Sequence, residues 1–122
     1  MNRFGLVMTL FAATMADSSL AAAEDGAELF VKNCQTCHTI AKEGSKRVGP
    51  PLWGVIGRKA GSLEGYPYSA GLKASGIFWT RDSLDQWLTF PKKMVRDTNM
   101  VYRQNRPEIR KAIIDYIASQ KD

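Results

Sequence analysis

The residues best suited to chemistry in this sequence lie in the pentapeptide Cys34-Gln35-Thr36-Cys37-His38. The spacing Cys-x-x-Cys-His is the attachment signature of a c-type haem. Each thiol can add across one vinyl group of the porphyrin, and the adjoining imidazole can then donate a nitrogen to the iron. The pattern therefore predicts one covalently bound haem c, with Cys34 and Cys37 as thioether links and His38 as an iron ligand.

Other uses of these thiols fit the sequence less well. A zinc site built from Cys and His needs four ligands, but the chain has two Cys and one His. A redox-active dithiol gives no reason for the neighbouring histidine. A disulfide across two intervening residues closes a loop too small to add much stability.

The second axial position of the iron can be narrowed by elimination. The single histidine excludes a second imidazole, and residues 24–122 contain two thioethers, Met94 and Met100. Met94 lies in a predicted helical turn, whereas Met100 follows a loop that can bend toward the iron, so Met100 is favoured. Lysine or tyrosine ligation and an open position are the alternatives. Pro50, twelve residues after His38, could accept the imidazole N–H on its carbonyl and fix the ring.

Residues 1–23 are typical of a secretory signal peptide. Arg3 precedes an uncharged, mostly apolar run over 4–16, and a polar break then leads to small residues ending at Ala23. That run is shorter than the ~20 residues that span a bilayer, although an uncleaved membrane anchor is the alternative. The prediction is one domain over 24–122, exported to the periplasm, where bacteria attach haem c.

The charge of the chain bears on its partners. The net charge is +5 and the pI about 9.4, which would suit nucleic acid, anionic membrane or an acidic protein. The basic residues form dispersed pairs, Lys46-Arg47, Arg58-Lys59 and Lys92-Lys93, and no nucleic-acid module is visible. Nucleic acid is therefore not expected as a partner, which leaves an anionic membrane surface or an acidic protein. We expect no stable membrane insertion after cleavage, and a monomer.

Helical periodicity predicts an all-α fold with three main helices, a short helical turn over 91–94 and long loops around one haem. The first helix spans 25–33, with Ala27, Phe30 and Val31 on its apolar face. The second spans 80–88 with Thr80 as N-cap, and the third starts at Pro107. The predicted apolar face of the second helix is Leu84, Trp87 and Leu88, and the outer face of the third is Arg110, Lys111, Asp115 and Lys121.

Many segments of the chain resemble those of class I c-type cytochromes, close to mitochondrial cytochrome c and bacterial cytochrome c2. The matching stretches are Gly26 through Phe30, Thr39, Val48-Gly49-Pro50-Pro51-Leu52, Gly57-Arg58-Lys59, Gly65-Tyr66-Pro67-Tyr68-Ser69, Trp79, Pro91-Lys92-Lys93, Thr98-Asn99-Met100 and Ile114-Asp115-Tyr116-Ile117. The resemblance covers residues 25–120. It implies the cytochrome c fold.

The resemblance also implies roles for single residues. His38 and Met100 match the axial ligands, and Pro50 matches the carbonyl that orients the histidine. Four residues match the family's contacts to the haem propionates: Arg58, Tyr68, Trp79 and Thr98. Three more match part of the basic rim around the haem edge, where acidic partners dock: Arg47, Lys92 and Lys93.

Two departures from the family pattern surround Met100. Arg96-Asp97 stands where the family usually has Pro-Gly, which predicts a looser or reshaped loop. Trp87 stands in the haem pocket where the family has a tyrosine whose hydroxyl reaches the methionine sulfur, which predicts a shifted reduction potential.

The resemblance implies a one-electron carrier and not an enzyme, shuttling electrons between membrane redox complexes of a respiratory or photosynthetic chain. Two alternatives remain open at this point. A haem sensor or enzyme would have a labile sixth ligand. A fixed cytochrome subunit would stay bound in a larger oxidoreductase.

Overall fold

The computed structural model describes residues 25–122. They form five helices in chain order: α1 Gly26–Asn33, α2 Ala70–Ala74, α3 Arg81–Thr89, α4 Pro91–Met94 and α5 Pro107–Ser119. Within these residues the only β-type pairing is one isolated bridge, between Lys59 and Phe78. The all-α prediction of three main helices, short helical turns and long loops is therefore confirmed. The predicted signal peptide, 1–23, lies outside the described residues.

Helix α1 is buried along one face that the sequence predicted only in part. Asp25 caps the helix by accepting the N–H of Ala27 at 3.0 Å. Leu29 and Phe30 are buried, whereas Val31 is 58% exposed, so placing Val31 on the apolar face was wrong. The buried stripe begins at Gly26, because that residue contacts α5, and it continues at i+3 and i+4 with Leu29 and Phe30.

The crossing of α1 and α5 depends on a close approach at Gly26. A Cβ there would lie 2.8 Å from the Cβ of Tyr116 and would also collide with the carbonyl of Ala112. One turn further along, the rings of Phe30 and Tyr116 lie 5.7 Å apart between centroids. Ile113 is fully buried beside them in the core. The absence of a side chain at Gly26 thus sets the distance between the two terminal helices.

Helix α3 begins and packs as predicted. Thr80 and Ser83 form a reciprocal capping box, which satisfies two of the free N–H groups at the helix start. Leu84, Trp87 and Leu88 are all buried. Pro91 then stops α3 and opens the short helix α4, since proline lacks the N–H that would continue the helix.

Helix α5 differs from the prediction at Arg110, which was placed on the outer face but is only 9% exposed. Its Nε donates to the Asp85 carboxylate at 2.7 Å, and Nη1 donates to the Gln104 carbonyl at 3.0 Å. The long arginine side chain runs along the helix surface to reach these partners. Arg110 thereby joins α3 to the segment that precedes α5.

The long connection between α1 and α2 is ordered by backbone pairing with distant segments. Gly49 N–H donates to the Cys37 carbonyl at 2.7 Å, and Leu52 N–H donates to the Thr39 carbonyl at 2.9 Å. Ser69 then caps α2 by accepting the N–H of Leu72. This short helix was not predicted from the sequence.

None of the helices in residues 25–122 is long and apolar enough to cross a bilayer.

Candidate functional site

The two thiols and the imidazole are gathered in one turn at the end of α1. Cys34 is the C-cap residue of α1. Its carbonyl accepts the N–H groups of Cys37 and His38 at 3.1 and 2.8 Å. Neither cysteine forms a disulfide. Burial, with a smaller effect from the neighbouring Cys37, raises the pKa of Cys34 to about 12, so this thiol is protonated at neutral pH.

The imidazole of His38 is oriented by Pro50. Nδ1 lies 2.7 Å from the Pro50 carbonyl oxygen. Because that oxygen can only accept, Nδ1 carries the hydrogen and Nε2 keeps its lone pair. Burial lowers the pKa of His38, against the opposing effect of the Pro50 bond. The result is a neutral imidazole with one nitrogen fixed and the other available to a metal.

Gly49 allows this arrangement, because a side chain there would occupy the space of the imidazole. An added Cβ would lie 2.7 Å from Nδ1 and 2.8 Å from Nε2 of His38, which is closer than real Cβ atoms come. The bond from Gly49 to Cys37 brings the 49–52 segment against the ring. A glycine is therefore required beside His38 for steric reasons.

The sulfur of Met100 is held by an indole. Trp87 Nε1–H donates to Met100 Sδ at 3.1 Å, and the Trp87 ring packs edge-on to Trp79 with centroids 5.2 Å apart. The Met100 N–H donates to the Thr98 hydroxyl at 3.3 Å, and Thr98 is itself buried. Met100 thus has its sulfur and its backbone restrained separately.

Met94, the other candidate thioether, lies in different surroundings. It is part of α4 and lines an open surface groove together with Ile77, Val95 and Arg96. Met100 is bonded through its sulfur to a buried tryptophan, whereas no hydrogen bond of the described residues involves the Met94 sulfur. The two methionines are therefore not equivalent.

Arg58, Tyr68 and Trp79 form a second group of polar and aromatic side chains. Arg58 donates from its two Nη atoms to the carbonyls of Pro51 and Trp53 at 2.9 and 2.8 Å. Burial lowers the pKa of Arg58, and the nearby Tyr68 opposes that shift. The pKa of Tyr68 is raised, chiefly by burial. Backbone pairing places Arg58 beside Trp79, whose N–H donates to the Arg58 carbonyl at 2.9 Å.

Thr98 forms its hydrogen bond with the Met100 loop and not with the group of Arg58, Tyr68 and Trp79. Its hydroxyl accepts from the Met100 backbone and, in the described part of the chain, makes no bond to Arg58 or Tyr68. The predicted site residues therefore form three local groups, centred on His38, Met100 and Arg58.

The donor set of these groups fits a c-type haem. Two unpaired thiols stand three positions apart, beside a neutral imidazole with a free Nε2. The Met100 sulfur has a second lone pair besides the one that accepts the Trp87 hydrogen. The Arg58 guanidinium has five N–H donors and uses two of them on carbonyls, which leaves donors for a carboxylate.

Several contacts in this region were not predicted from the sequence. Lys46 Nζ donates to the Gly65 carbonyl at 2.6 Å, and the Tyr66 hydroxyl donates to the Val48 carbonyl at 2.5 Å. Asp97 Oδ2 accepts the N–H of Gly71 at 2.9 Å. Each links residues far apart in sequence through a backbone group, for which no residue pattern gives a signal.

Comparison with known proteins identifies the family. The family model for cytochrome c matches residues 23–121. A cytochrome c of Gibberella zeae is 46% identical over 77 residues, which are 63% of this chain and 73% of that protein. Cytochrome c 2.1 of Caenorhabditis briggsae is 38% identical over 104 residues, covering 84% and 92%. A cytochrome c of Arabidopsis thaliana is 37% identical over 108 residues, covering 87% and 96%.

The match to the family model extends over all but the last of the described residues and includes the Cys34–His38 turn and the Met100 loop. The chain therefore belongs to the cytochrome c family, as an electron carrier with a covalently attached haem c and not an enzyme.

Proposed function

We propose that this cytochrome transfers one electron at a time through a haem linked to Cys34 and Cys37 and ligated axially by His38 and Met100. The observation that carries the proposal is the 3.1 Å hydrogen bond from Trp87 to the Met100 sulfur. This bond supports the proposal because it holds the Met100 thioether against the buried Trp87. When bound, the haem supplies an iron that cycles between its ferrous and ferric states.

The protein's own residues set the properties of that iron. Pro50 fixes His38 in one tautomer, so its Nε2 is a constant ligand. Thioether ligation favours the ferrous state more than a second imidazole would. The indole N–H of Trp87 points its positive end at the sulfur and adds to this preference. The buried residues Trp79, Trp87 and Leu88 exclude water from the Met100 side of the site.

We also propose that Arg58, Tyr68 and Trp79 hold a haem propionate, with Thr98 near the other. The spare donors of Arg58 and the raised pKa of Tyr68, which keeps its hydroxyl protonated, support this assignment. A carboxylate at this position would be neutralised by the guanidinium and shielded from water.

The partners are proposed to be redox proteins with acidic docking faces, including membrane complexes of a respiratory or photosynthetic chain. Lys92 and Lys93 are exposed on α4, and Arg47 is exposed beside the Cys34–His38 turn. Arg47 donates to the Gln35 carbonyl at 2.9 Å, so its charge is held next to the haem-binding segment. The residue pattern over 1–23 supports a periplasmic location.

The axial ligand is tested by replacing each methionine. Met100→Ala should abolish the sulfur-to-iron charge-transfer band of the ferric protein, whereas Met94→Ala should leave the band unchanged. Loss of the band in Met94→Ala alone would overturn the assignment. Carbon monoxide provides a second measurement, because a thioether on ferrous iron slows its binding. Rapid binding to the unaltered protein at neutral pH would instead favour a sensor with an open site.

A further inference from the structure

Asp97 lies in the turn between α4 and Met100, and its carboxylate reaches across to α2. Oδ2 accepts the N–H of Gly71 at 2.9 Å, a contact between residues 26 positions apart in the chain. The pKa of Asp97 is lowered first by this bond and then by the Ser69 hydroxyl. The carboxylate is therefore ionised at neutral pH and forms a charge-assisted hydrogen bond.

The bond satisfies one of the free N–H groups at the start of α2. The first N–H groups of a helix have no partner inside it. Ser69 accepts the N–H of Leu72 at 3.1 Å, and Asp97 accepts that of Gly71. Helix α2 has five residues, too few for a stable isolated helix. Its order and the position of Asp97 are therefore coupled.

Gly71 and Asp97 fit each other sterically. A Cβ on Gly71 would lie 3.0 Å from Cγ and 3.2 Å from Oδ2 of Asp97, and would also collide with Oδ1. Every non-glycine residue described has a negative φ, so Arg96 and Asp97 adopt ordinary backbone conformations. Replacing the family's Pro-Gly pair has not strained the turn, and it has introduced a carboxylate that a glycine could not provide.

The contact lies between two restraints on the Met100 loop. Val95 is buried, and its carbonyl accepts the N–H of Thr98 at 3.3 Å. Thr98 in turn accepts the N–H of Met100. Trp87 holds the sulfur from the core side, while Asp97 fixes the backbone of the same loop to α2.

We propose that Asp97 is a positioning residue that keeps Met100 on the haem iron by attaching the ligand loop to Gly71 of α2. The inference rests on the proposed axial ligation by Met100. It concerns a contact made by this chain's own Arg96-Asp97 sequence.

The test measures how readily an external ligand displaces Met100. Imidazole is titrated into the ferric holoprotein at a pH above the pKa of imidazole, so that the added ligand is neutral. Loss of the sulfur-to-iron band is the signal. Asp97→Ala should bind imidazole about fivefold more tightly, the value expected for losing one charge-assisted bond at an exposed site. Asp97→Asn keeps an acceptor oxygen and should show a smaller increase. Glu64→Ala removes the same charge from an exposed loop and should leave the affinity unchanged.

Gly71→Ala provides a second approach from the partner residue. Its added methyl group displaces the carboxylate, so it should raise the imidazole affinity by itself. In combination with Asp97→Ala it should add little, because both changes remove the same contact. Thermal unfolding of each variant, followed by circular dichroism, separates a general loss of stability from selective release of Met100.

The outcomes distinguish the two proposals. If the unaltered protein shows the band, Met100→Ala removes it, and Asp97→Ala matches Glu64→Ala in imidazole affinity, then Asp97 is not a positioning residue although Met100 is the ligand. If the unaltered protein lacks the band, Met100 ligation fails and the role of Asp97 fails with it.

Discussion

The indole nitrogen of Trp87 lies 3.1 Å from the sulfur of Met100, and the two side chains are joined by a hydrogen bond. Trp87 is 6% exposed, so this bond is protected from water and its geometry is fixed by the packing of α3. If Met100 ligates the iron as proposed, a donor aimed at its sulfur withdraws electron density from the ligand. It would therefore favour the iron state of lower charge.

Trp87→Phe should lower the reduction potential, because the donor is lost while an aromatic ring is retained. One hydrogen bond contributes roughly 0.5–1 kcal/mol of difference between the two states, which corresponds to about 20–40 mV for one electron. Potentiometric titration measures the shift. Trp53→Phe serves as the control, because in the described residues the Trp53 indole does not bond to Met100. A potential that is unchanged or higher in Trp87→Phe would contradict this role.

Gly49→Ala should displace the ring of His38, since the added Cβ would stand 2.7 Å from Nδ1. The expected result is a loss of about 2–4 kcal/mol in the free energy of unfolding, together with an altered haem absorption spectrum. Denaturant unfolding of the holoprotein and its visible spectrum provide the two measurements.

The control for this substitution is Gly57→Ala. Gly57 has φ of +87° with open space around its missing side chain, so alanine there costs about 1 kcal/mol of backbone strain and leaves the spectrum intact. Equal losses at the two positions, with neither spectrum changed, would show that His38 does not require the space at Gly49.

How far the sequence predicts this structure depends on the range of each interaction. Local signals were reliable: Thr80 caps α3, Pro107 starts α5, and the face of Leu84, Trp87 and Leu88 is buried. Errors arose where a distant segment decides burial. Val31 has the right spacing for an apolar face, but the contact of Gly26 with α5 turns α1 so that Leu29 is buried instead.

In the site, too, contacts within one segment were predictable and contacts between distant segments were not. The pairing of His38 with Pro50 was predicted from their spacing, and the position of Trp87 beside Met100 was predicted from the resemblance to known sequences. The contact of Asp97 with Gly71 uses a backbone N–H as its donor, and every non-proline residue has one. Only the three-dimensional arrangement of α2 and the Met100 loop shows which of these N–H groups the carboxylate meets.

Asp115 joins α5 to α3, and its replacement should make stability less dependent on pH. Its carboxylate accepts from Lys111 Nζ at 2.6 Å and bonds to Arg81. These partners, Lys111 first, lower the pKa of Asp115. A lowered pKa means that the contribution to stability is complete above the unfolded-state pKa of about 3.9, and that it is lost as the pH falls through the folded-state pKa.

Asp115→Asn should therefore cost less than about 1 kcal/mol near neutral pH, because the carboxylate is partly exposed and screened. The difference from the unaltered protein should shrink as the pH falls below about 4. Urea unfolding of the holoprotein at several pH values measures it, with Glu64→Gln as a control in an exposed loop. A difference that grows toward acid pH would contradict the assigned ion pairs.

Lys92 and Lys93 should guide negatively charged electron acceptors toward the haem, since both side chains are exposed on α4. Replacing both with alanine should slow oxidation of the ferrous protein by hexacyanoferrate roughly two- to fourfold at low ionic strength, because the steering field is weakened. Added salt should remove most of the difference, since charges are screened beyond about 10 Å at 0.1 M. Stopped-flow absorbance at a haem band measures the rate. Lys121→Ala, beyond the end of α5, is the matched control for the single variant Lys92→Ala, because each removes one positive charge, and it should slow the reaction less. If the two single variants slowed the reaction equally, net charge alone would account for the rate, and α4 would not be a docking surface.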